Sequence, residues 1–263
     1  MSVRTLVGFC AIGLATIPVS AAQVVLSDNT TTTAINDGTV NIGEYATSTN
    51  GINGGFGDVI GTSSSFFVDS DSAGNINIGI LSSGTFGDAA VIYIDAAPGV
   101  GLNSTATIED TSDPGRSAIS GDAGSNQSEI TFAPGFGADF AIAIDTGFAG
   151  LFRINADGSL TFVDSANRNA SDANNTEIDF NLSEIDLTPG DSFDFVATYL
   201  NSSNAFRSDE FVGVASSTIG PGNIGQNPVT LGTMDFATFT AIPEPLTALA
   251  GGGLLGLVAL RRR

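Results

Sequence analysis

Carboxylates are the side chains through which this chain could do chemistry. Its 263 residues include 28 Asp and Glu against 8 Arg, with one Cys and no Lys, His or Trp. Without His or Lys there is no Ser-His-Asp triad, no Cys-His pair, no Schiff-base or P-loop lysine, and no His-ligated zinc or haem. What remains is acid–base work by paired carboxylates, coordination of hard cations, or binding without reaction. Oxygens at alternate positions suit calcium, and Asp69-Ser70-Asp71-Ser72-Ala73-Gly74-Asn75 begins in that way. Asp69, Asp71 and Asn75 are therefore the candidate metal ligands, and Ca²⁺ is the one cofactor they suggest. The run departs from the EF-hand pattern at Ala73, its fifth position, and at Ile80, its twelfth, where a bidentate Glu belongs. Asp164, Asn167, Asp172 and Asn174 make a second oxygen-rich loop, although acidic residues in loops commonly just cap turns. A glycosidase needs only two carboxylates about 5–10 Å apart. Among so many acids no pair stands out, so no catalytic residue is assigned.

The balance of charge narrows the partners. The formal charge is −20, and phosphate backbones repel such a surface, which argues against nucleic acid. Between residues 23 and 242 the only basic residues are Arg116, Arg153, Arg168 and Arg207, against every acid but Glu244. So acidic a surface suits a salty or cation-rich setting, where counterions screen self-repulsion.

The elements that carry these side chains show a period of two along the body. Ile76, Ile78 and Ile80 alternate with Asn75, Asn77 and Gly79; Phe140, Ile142 and Ile144 alternate with Ala141 and Ala143. Ile178, Phe180 and Leu182 repeat the pattern, as do Phe193, Phe195, Ala197 and Tyr199. Further apolar runs lie at 66–68, 91–94, 151–154, 160–163, 211–214 and 234–239. Such alternation turns one face of each strand to a core and the other to solvent. Clusters of Gly, Asn, Asp and Ser separate the runs, so the fold expected is all-β, an antiparallel β-sandwich or jelly roll over residues 23–242. Asn155-Ala156-Asp157-Gly158 predicts a hairpin over 151–163. The only helix-like piece expected in the body is a turn at 183–187. Residues 23–74 are richer in Thr, Ser, Asn and Gly and carry weaker strands, so weak order or edge strands are expected there. Tyrosine is confined to Tyr45, Tyr93 and Tyr199, and most of the 18 Phe stand at core phase.

Both ends read as processing signals. Arg4 precedes an apolar run at 6–17, Pro18 ends it, and Ser20-Ala21-Ala22 supplies the small residues of a signal-peptide cleavage site. Cleavage is expected between Ala22 and Gln23 after export through the Sec machinery. Cys10 falls inside the leader, so the mature chain has no cysteine and no disulfide. At the other end, Pro243-Glu244-Pro245 is followed by an apolar segment at 246–260 and by Arg261, Arg262 and Arg263. As a helix the apolar segment reaches about 22 Å, short of the roughly 30 Å hydrocarbon core. It is a marginal transmembrane anchor, with the arginines on the cytoplasmic side. This order of hinge, helix and basic stop resembles the PEP-CTERM sorting signal of Gram-negative bacteria. The resemblance implies an exosortase as processing partner, acting near Pro243, Glu244 and Pro245. It also implies an inner-membrane-anchored precursor that ends at the cell surface or in the extracellular matrix.

Within the body, Val91-Ile92-Tyr93-Ile94-Asp95 with Ala96-Ala97-Pro98-Gly99 is followed by Asp139-Phe140-Ala141-Ile142-Ala143-Ile144-Asp145. The Glu177-led stretch then runs to Thr188-Pro189-Gly190 and into the strand at 193–199. This succession is similar to the DOMON and family 9 carbohydrate-binding-module β-sandwiches. Their sugar sites use tryptophan platforms and their haem versions use His or Met. This chain has no Trp or His, so the likeness implies fold rather than ligand. Seven Asn-x-Ser/Thr sequons, at Asn29, Asn103, Asn126, Asn169, Asn174, Asn181 and Asn201, occur in a chain so rich in Asn, Ser and Thr that such triplets arise by chance, and are read as unmodified. The function expected is a non-enzymatic exported surface or matrix protein associated with exopolysaccharide. The alternatives are a secreted carbohydrate-active hydrolase using an Asp/Glu pair, or a calcium-stabilised adhesin or S-layer-like subunit.

Overall fold

The structure, a computed structural model, describes residues 23–28 and 33–242. Ala22 and the leader, the Pro243-Glu244-Pro245 hinge, the apolar tail and Arg261, Arg262 and Arg263 lie outside the described residues. Among the described residues no helix is long and apolar enough to cross a membrane.

In chain order the strands are β1 (Val24–Ser27), β2 (Thr47–Thr49), β3 (Ser65–Ser70), β4 (Asn75–Leu81), β5 (Ala89–Asp95), β6 (Ile130–Thr131) and β7 (Phe140–Ile144). They continue with β8 (Ala149–Ile154), β9 (Leu160–Ser165), β10 (Asn175–Asn181), β11 (Ser192–Asn201), β12 (Phe206–Val212), β13 (Val229–Thr230) and β14 (Ala237–Thr240). The fold is all-β, as the period-two alternation required. The large sheet runs β1-β14-β11-β5-β7-β8-β9, with β12 also paired to β11; the small sheet runs β10-β4-β3-β2; β6 and β13 form a separate pair. Pairing is antiparallel except for β1 with β14 and β6 with β13, which are parallel.

The two sheets pack face to face. Ile92, Ile94, Phe140, Ile142, Phe193, Phe195 and Phe239 of the large sheet meet Phe66, Val68, Ile76, Ile78, Ile80, Ile178 and Phe180 of the small one. The sequence pattern leads one to expect solvent on the far face of each strand, and for the large sheet that is wrong. Val91, Tyr93, Ala141, Ala143, Phe152, Val196 and Leu200 form a second core with Ile119, Ile130, Phe132, Phe136 and Leu231 from the connecting segments. Every residue of β5 and β7 is buried. The small Ala141 and Ala143 leave room on that face for covering segments to approach, at a close-packed density any larger side chain would disturb.

One covering element corrects the sequence reading. Helix α1 (Pro114–Ser120) lies on the second face and buries Ala118, Ile119 and Ser120, where only a turn at 183–187 was expected. Its signals are local: Asp113 caps the N-terminus by accepting from Arg116 N, Pro114 opens the first turn, and Gly121 ends it at φ +68°. The expected turn is present as a short 3₁₀ segment, Leu182–Ile185, with a capping box between Asn181 and Glu184. The expected hairpin is present too: β8 and β9 are joined through Asn155, which accepts from Gly158 N at 2.9 Å.

Residues 33–64 contain only three strand residues, yet they are held in place by acids in β3, β10 and β12. Glu210 accepts from four backbone amides, those of Phe56 (2.8 Å), Asp58 (3.2 Å), Val59 (2.7 Å) and Ile60 (2.9 Å). Glu177 takes Asp37 N, Gly38 N and the Tyr45 hydroxyl. Asp209 takes Gly55 N and Gly222 N at 2.7 and 2.5 Å. A chain short of Lys and Arg thus gives its interior carboxylates backbone N–H groups as partners, which satisfies a buried charge without a counter-ion.

Candidate functional site

The same habit explains the proposed calcium loop. Asp71 Oδ1 accepts from Ala73 N and Asn75 N, both at 2.9 Å, and its Oδ2 accepts from Asn75 Nδ2 at 2.7 Å. Asn75 therefore presents its donor to Asp71, while its Oδ1 accepts from Asn181. Asp69, fully buried, turns to the covering segment and accepts from Ala34 N (2.7 Å) and Ala46 N (3.1 Å). So the structure brings Asp71 and Asn75 together as a turn cap and directs Asp69 elsewhere. In the second loop Asp172 caps the amides of Asn174 and Asn175, and Asn167 donates to Asp179. No group of three or more His, Cys, Asp or Glu converges as a metal site among the described residues. Gln23, the expected first mature residue, donates from Nε2 to Thr238 Oγ1 at 2.8 Å beside the paired β1 and β14.

A cleft lies where sequence reasoning did not look, on the second face of the large sheet at its β8–β9 edge. It encloses about 240 Å³ and is lined by Phe148, Phe152 and Phe162, by Asp113, Arg116 and Asp145, and by Ser202 at its rim. Three elements build it. The β7–β8 turn is fixed by Asp145, whose Oδ1 accepts from Gly147 N and Phe148 N, both at 2.7 Å, and this sends the Phe148 ring outward. On edge strand β9 the pairing slips between Leu151 and Phe152, so Phe162 stands directly across from Phe152. A bulge of this kind re-aims the side chain beside it, and Phe162 is left on the cleft wall. The α1 N-terminus supplies Asp113 and Arg116 from the opposite side.

Phe148 and Phe162 remain 47% and 46% exposed. Their rings stand nearly parallel, 26° apart in plane with centroids at 6.4 Å, while Phe152 meets Phe162 edge-on at 5.6 Å. Arg116 lies 4.9 Å over the Phe152 ring and is held there by Asp110 (2.9 Å) and Asp113 (2.6 Å). A cation over an aromatic face with two carboxylates behind it is preorganised. Gly150 is required by these rings: a Cβ there would stand 2.8 Å from Phe152 and 2.9 Å from Phe148. Gly150 thus leaves the space that the Phe148 and Phe152 rings occupy.

The cleft continues in both directions. Asp113, Pro114 and Ser202 also line a depression of about 470 Å³ with Ser117 and Ser203. Phe148 also lines one of about 340 Å³ formed by Ser165, Asn167, Arg168 and Asn169. Together they make a groove with hydroxyls at one end, exposed aromatic faces in the middle, and amides with an arginine at the other. That arrangement can hold an extended, amphipathic chain through apolar faces and multiple hydrogen bonds. Two of its carboxylates already have partners. Both Asp113 oxygens are engaged by Arg116, through its backbone N–H and Nη1, and Asp145 Oδ1 is held by two amides. Against protein-family models, curated proteins and solved structures, the chain finds no match.

Proposed function

We propose that this is an exported, non-enzymatic cell-surface or matrix protein that binds extracellular polysaccharide along the β8–β9 groove. The observation that carries the reading is the half-exposed, near-parallel pair Phe148 and Phe162, set between hydroxyl and amide side chains. The faces of pyranose rings are apolar and their rims are hydroxyls, so they match an aromatic floor with polar margins. The groove's three joined segments suit a linear polymer better than a compact metabolite. Sequence adds the route: the leader ending at Ala22, and the Pro243-Glu244-Pro245 tail with Arg261, Arg262 and Arg263, which resembles an exosortase-processed sorting signal. The precursor is held in the inner membrane by that tail, and the mature body, a jelly-roll-type sandwich, is released to the surface. The strand succession similar to carbohydrate-binding sandwiches supports the sandwich fold alone, not the ligand.

The test is a binding panel of neutral and acidic bacterial polysaccharides by affinity electrophoresis with the body, residues 23–242, and its Phe148→Ala/Phe162→Ala variant. Covering two half-exposed rings contributes roughly 1–1.5 kcal/mol each, so the double variant should bind about 30- to 150-fold more weakly. Retardation that is unchanged in the double variant, or no retardation by any glycan, would remove the groove from the reading. Release of reducing ends during the assay would replace it with the hydrolase alternative.

A further inference from the structure

The four arginines of the body have very different partners. Arg116 is paired with Asp110 and Asp113, and Arg153 with Asp186 at 2.8 Å. Arg207 is fully buried and donates to Ser128 O and Thr198 Oγ1. Arg168 alone combines access to the groove with the lack of an ion pair among the described residues. Its Nη2 meets only Thr176 Oγ1, at a long 3.4 Å, and its Nε is buried without a hydrogen-bond partner. Its guanidinium carbon lies 5.9 Å from the centre of the Phe86 ring. Around it Ser165, Asn167 and Asn169 line the depression that Phe148 joins to the aromatic cleft. In a protein this rich in carboxylates, an accessible guanidinium left unpaired is chemically unusual. The negative charge that acts on it, Asp145, has its Oδ1 committed to the β7–β8 turn.

We infer that Arg168 forms an anion subsite at the end of the groove and selects a polysaccharide carrying a carboxylate substituent beside a neutral sugar face. The inference rests on the groove reading above. A planar guanidinium binds a carboxylate through two parallel N–H···O bonds, while Phe148 covers the adjoining sugar. The rest of the surface sets the density of acid that is tolerated. Screening at physiological salt acts over about 8 Å, so one carboxylate in contact with Arg168 is attracted, whereas a run of uronates is repelled by the acidic body. The ligand class is therefore a sparsely carboxylated glycan rather than a polyuronate.

The experiment compares matched pairs: neutral glucan, galactan and mannan tetrasaccharides, and the same chains with one C6 oxidised to the uronate. Binding to the body is measured by calorimetry for wild type, Arg168→Gln, Arg168→Lys and the Phe148→Ala/Phe162→Ala variant. Wild type should prefer the mono-uronate of at least one pair by roughly tenfold, the worth of one charge-assisted contact. Arg168→Gln should abolish that preference, so that the mono-uronate and its neutral partner bind alike. Arg168→Lys should keep only part of it, because the fork is lost and the charge remains. Equal affinity for both members of every pair in wild type, or a preference that survives in Arg168→Gln, overturns the subsite and leaves the groove standing. Failure of every tetrasaccharide to bind removes the groove and the subsite together.

Discussion

Three carboxylates stand in a row on the second face of the large sheet, and they should make the protein more stable in mild acid than at neutral pH. Asp194 pairs directly with Asp95 across β11 and β5, and Asp139 immediately precedes Phe140, the register partner of Ile94. Like charges opposite each other destabilise a sheet. Asp95 is almost fully buried; Gly137 N donates to its Oδ2 at 2.8 Å and its Oδ1 has no hydrogen-bond partner. Burial first, and then the charges of Asp139 and Asp194, push its carboxyl up to about 6. Burial also raises Asp139 and Asp194. Asp69, buried and beside Asp28, is likewise pushed up to about 6.

A carboxyl with a higher pKa folded than unfolded binds more protons in the folded state. Its contribution is intact below the ordinary value of 3.8 and is lost as pH rises through about 6. For Asp95 the loss is on the order of 3 kcal/mol at pH 8. Asp95→Asn removes it: the carboxamide oxygen keeps Gly137 N, and the NH₂ replaces the unpartnered oxygen and faces its acidic neighbours. With about 2 kcal/mol regained and 2–4 °C per kcal/mol for a body of this size, the variant should melt roughly 4–8 °C above wild type at pH 8 and level with it at pH 4. The assay is calorimetric melting from pH 4 to 8. A wild-type melting temperature that does not fall across that range would refute the reasoning, as would a variant destabilised equally at both ends.

Other expectations are simpler. Glu210→Gln puts a donor against four backbone amides and should lower the melting temperature by about 4–12 °C, on roughly 2–3 kcal/mol lost; hydrogen exchange should quicken at 53–60 ahead of the sheets, and protection equal to wild type there would contradict the anchoring role. Gly150→Ala drives a methyl group into the Phe148 and Phe152 rings and should cost about 1–3 kcal/mol together with most glycan affinity; unchanged binding would show that the rings do not define the cleft. Asp71→Ala should lower the melting temperature by the same amount with and without millimolar Ca²⁺, because its oxygens serve the turn; a loss seen only with Ca²⁺ would restore the cation loop.

What could be read in advance follows from how locally each feature is encoded. Ile76, Ile78 and Ile80, or Phe193, Phe195 and Ala197, announce strands because their period is visible within one segment. Val24–Ser27, Thr47–Thr49, Ile130–Thr131 and Val229–Thr230 are too short to show a period, and only pairing with distant partners makes them strands. Helix α1 was legible in its caps, Asp113-Pro114 and Gly121, though not in any apolar periodicity over seven residues. The double burial of β5 and β7 was hidden because Ala141 and Ala143 look like tolerant surface positions until the covering layer is known. Phe162 reads as core by phase in Leu160-Thr161-Phe162-Val163, and only the register slip against β8 places it on the groove. Glu210 carried a signal that could have been used. An acid in Phe206-Arg207-Ser208-Asp209-Glu210-Phe211, in a chain with so few cations, must find backbone amides if it is buried.

The groove is tested most directly by solution NMR of the body, residues 23–242, labelled at its phenylalanine rings and arginine guanidinium groups and titrated with fragments of a polysaccharide it retains. Shifts should be confined to Phe148, Phe152, Phe162, Arg116 and Arg168, and should saturate together. The buried rings of Phe66, Phe195 and Phe239 should stay still. Saturable shifts centred on any other surface, with Phe148 and Phe162 unmoved, would contradict the proposed site.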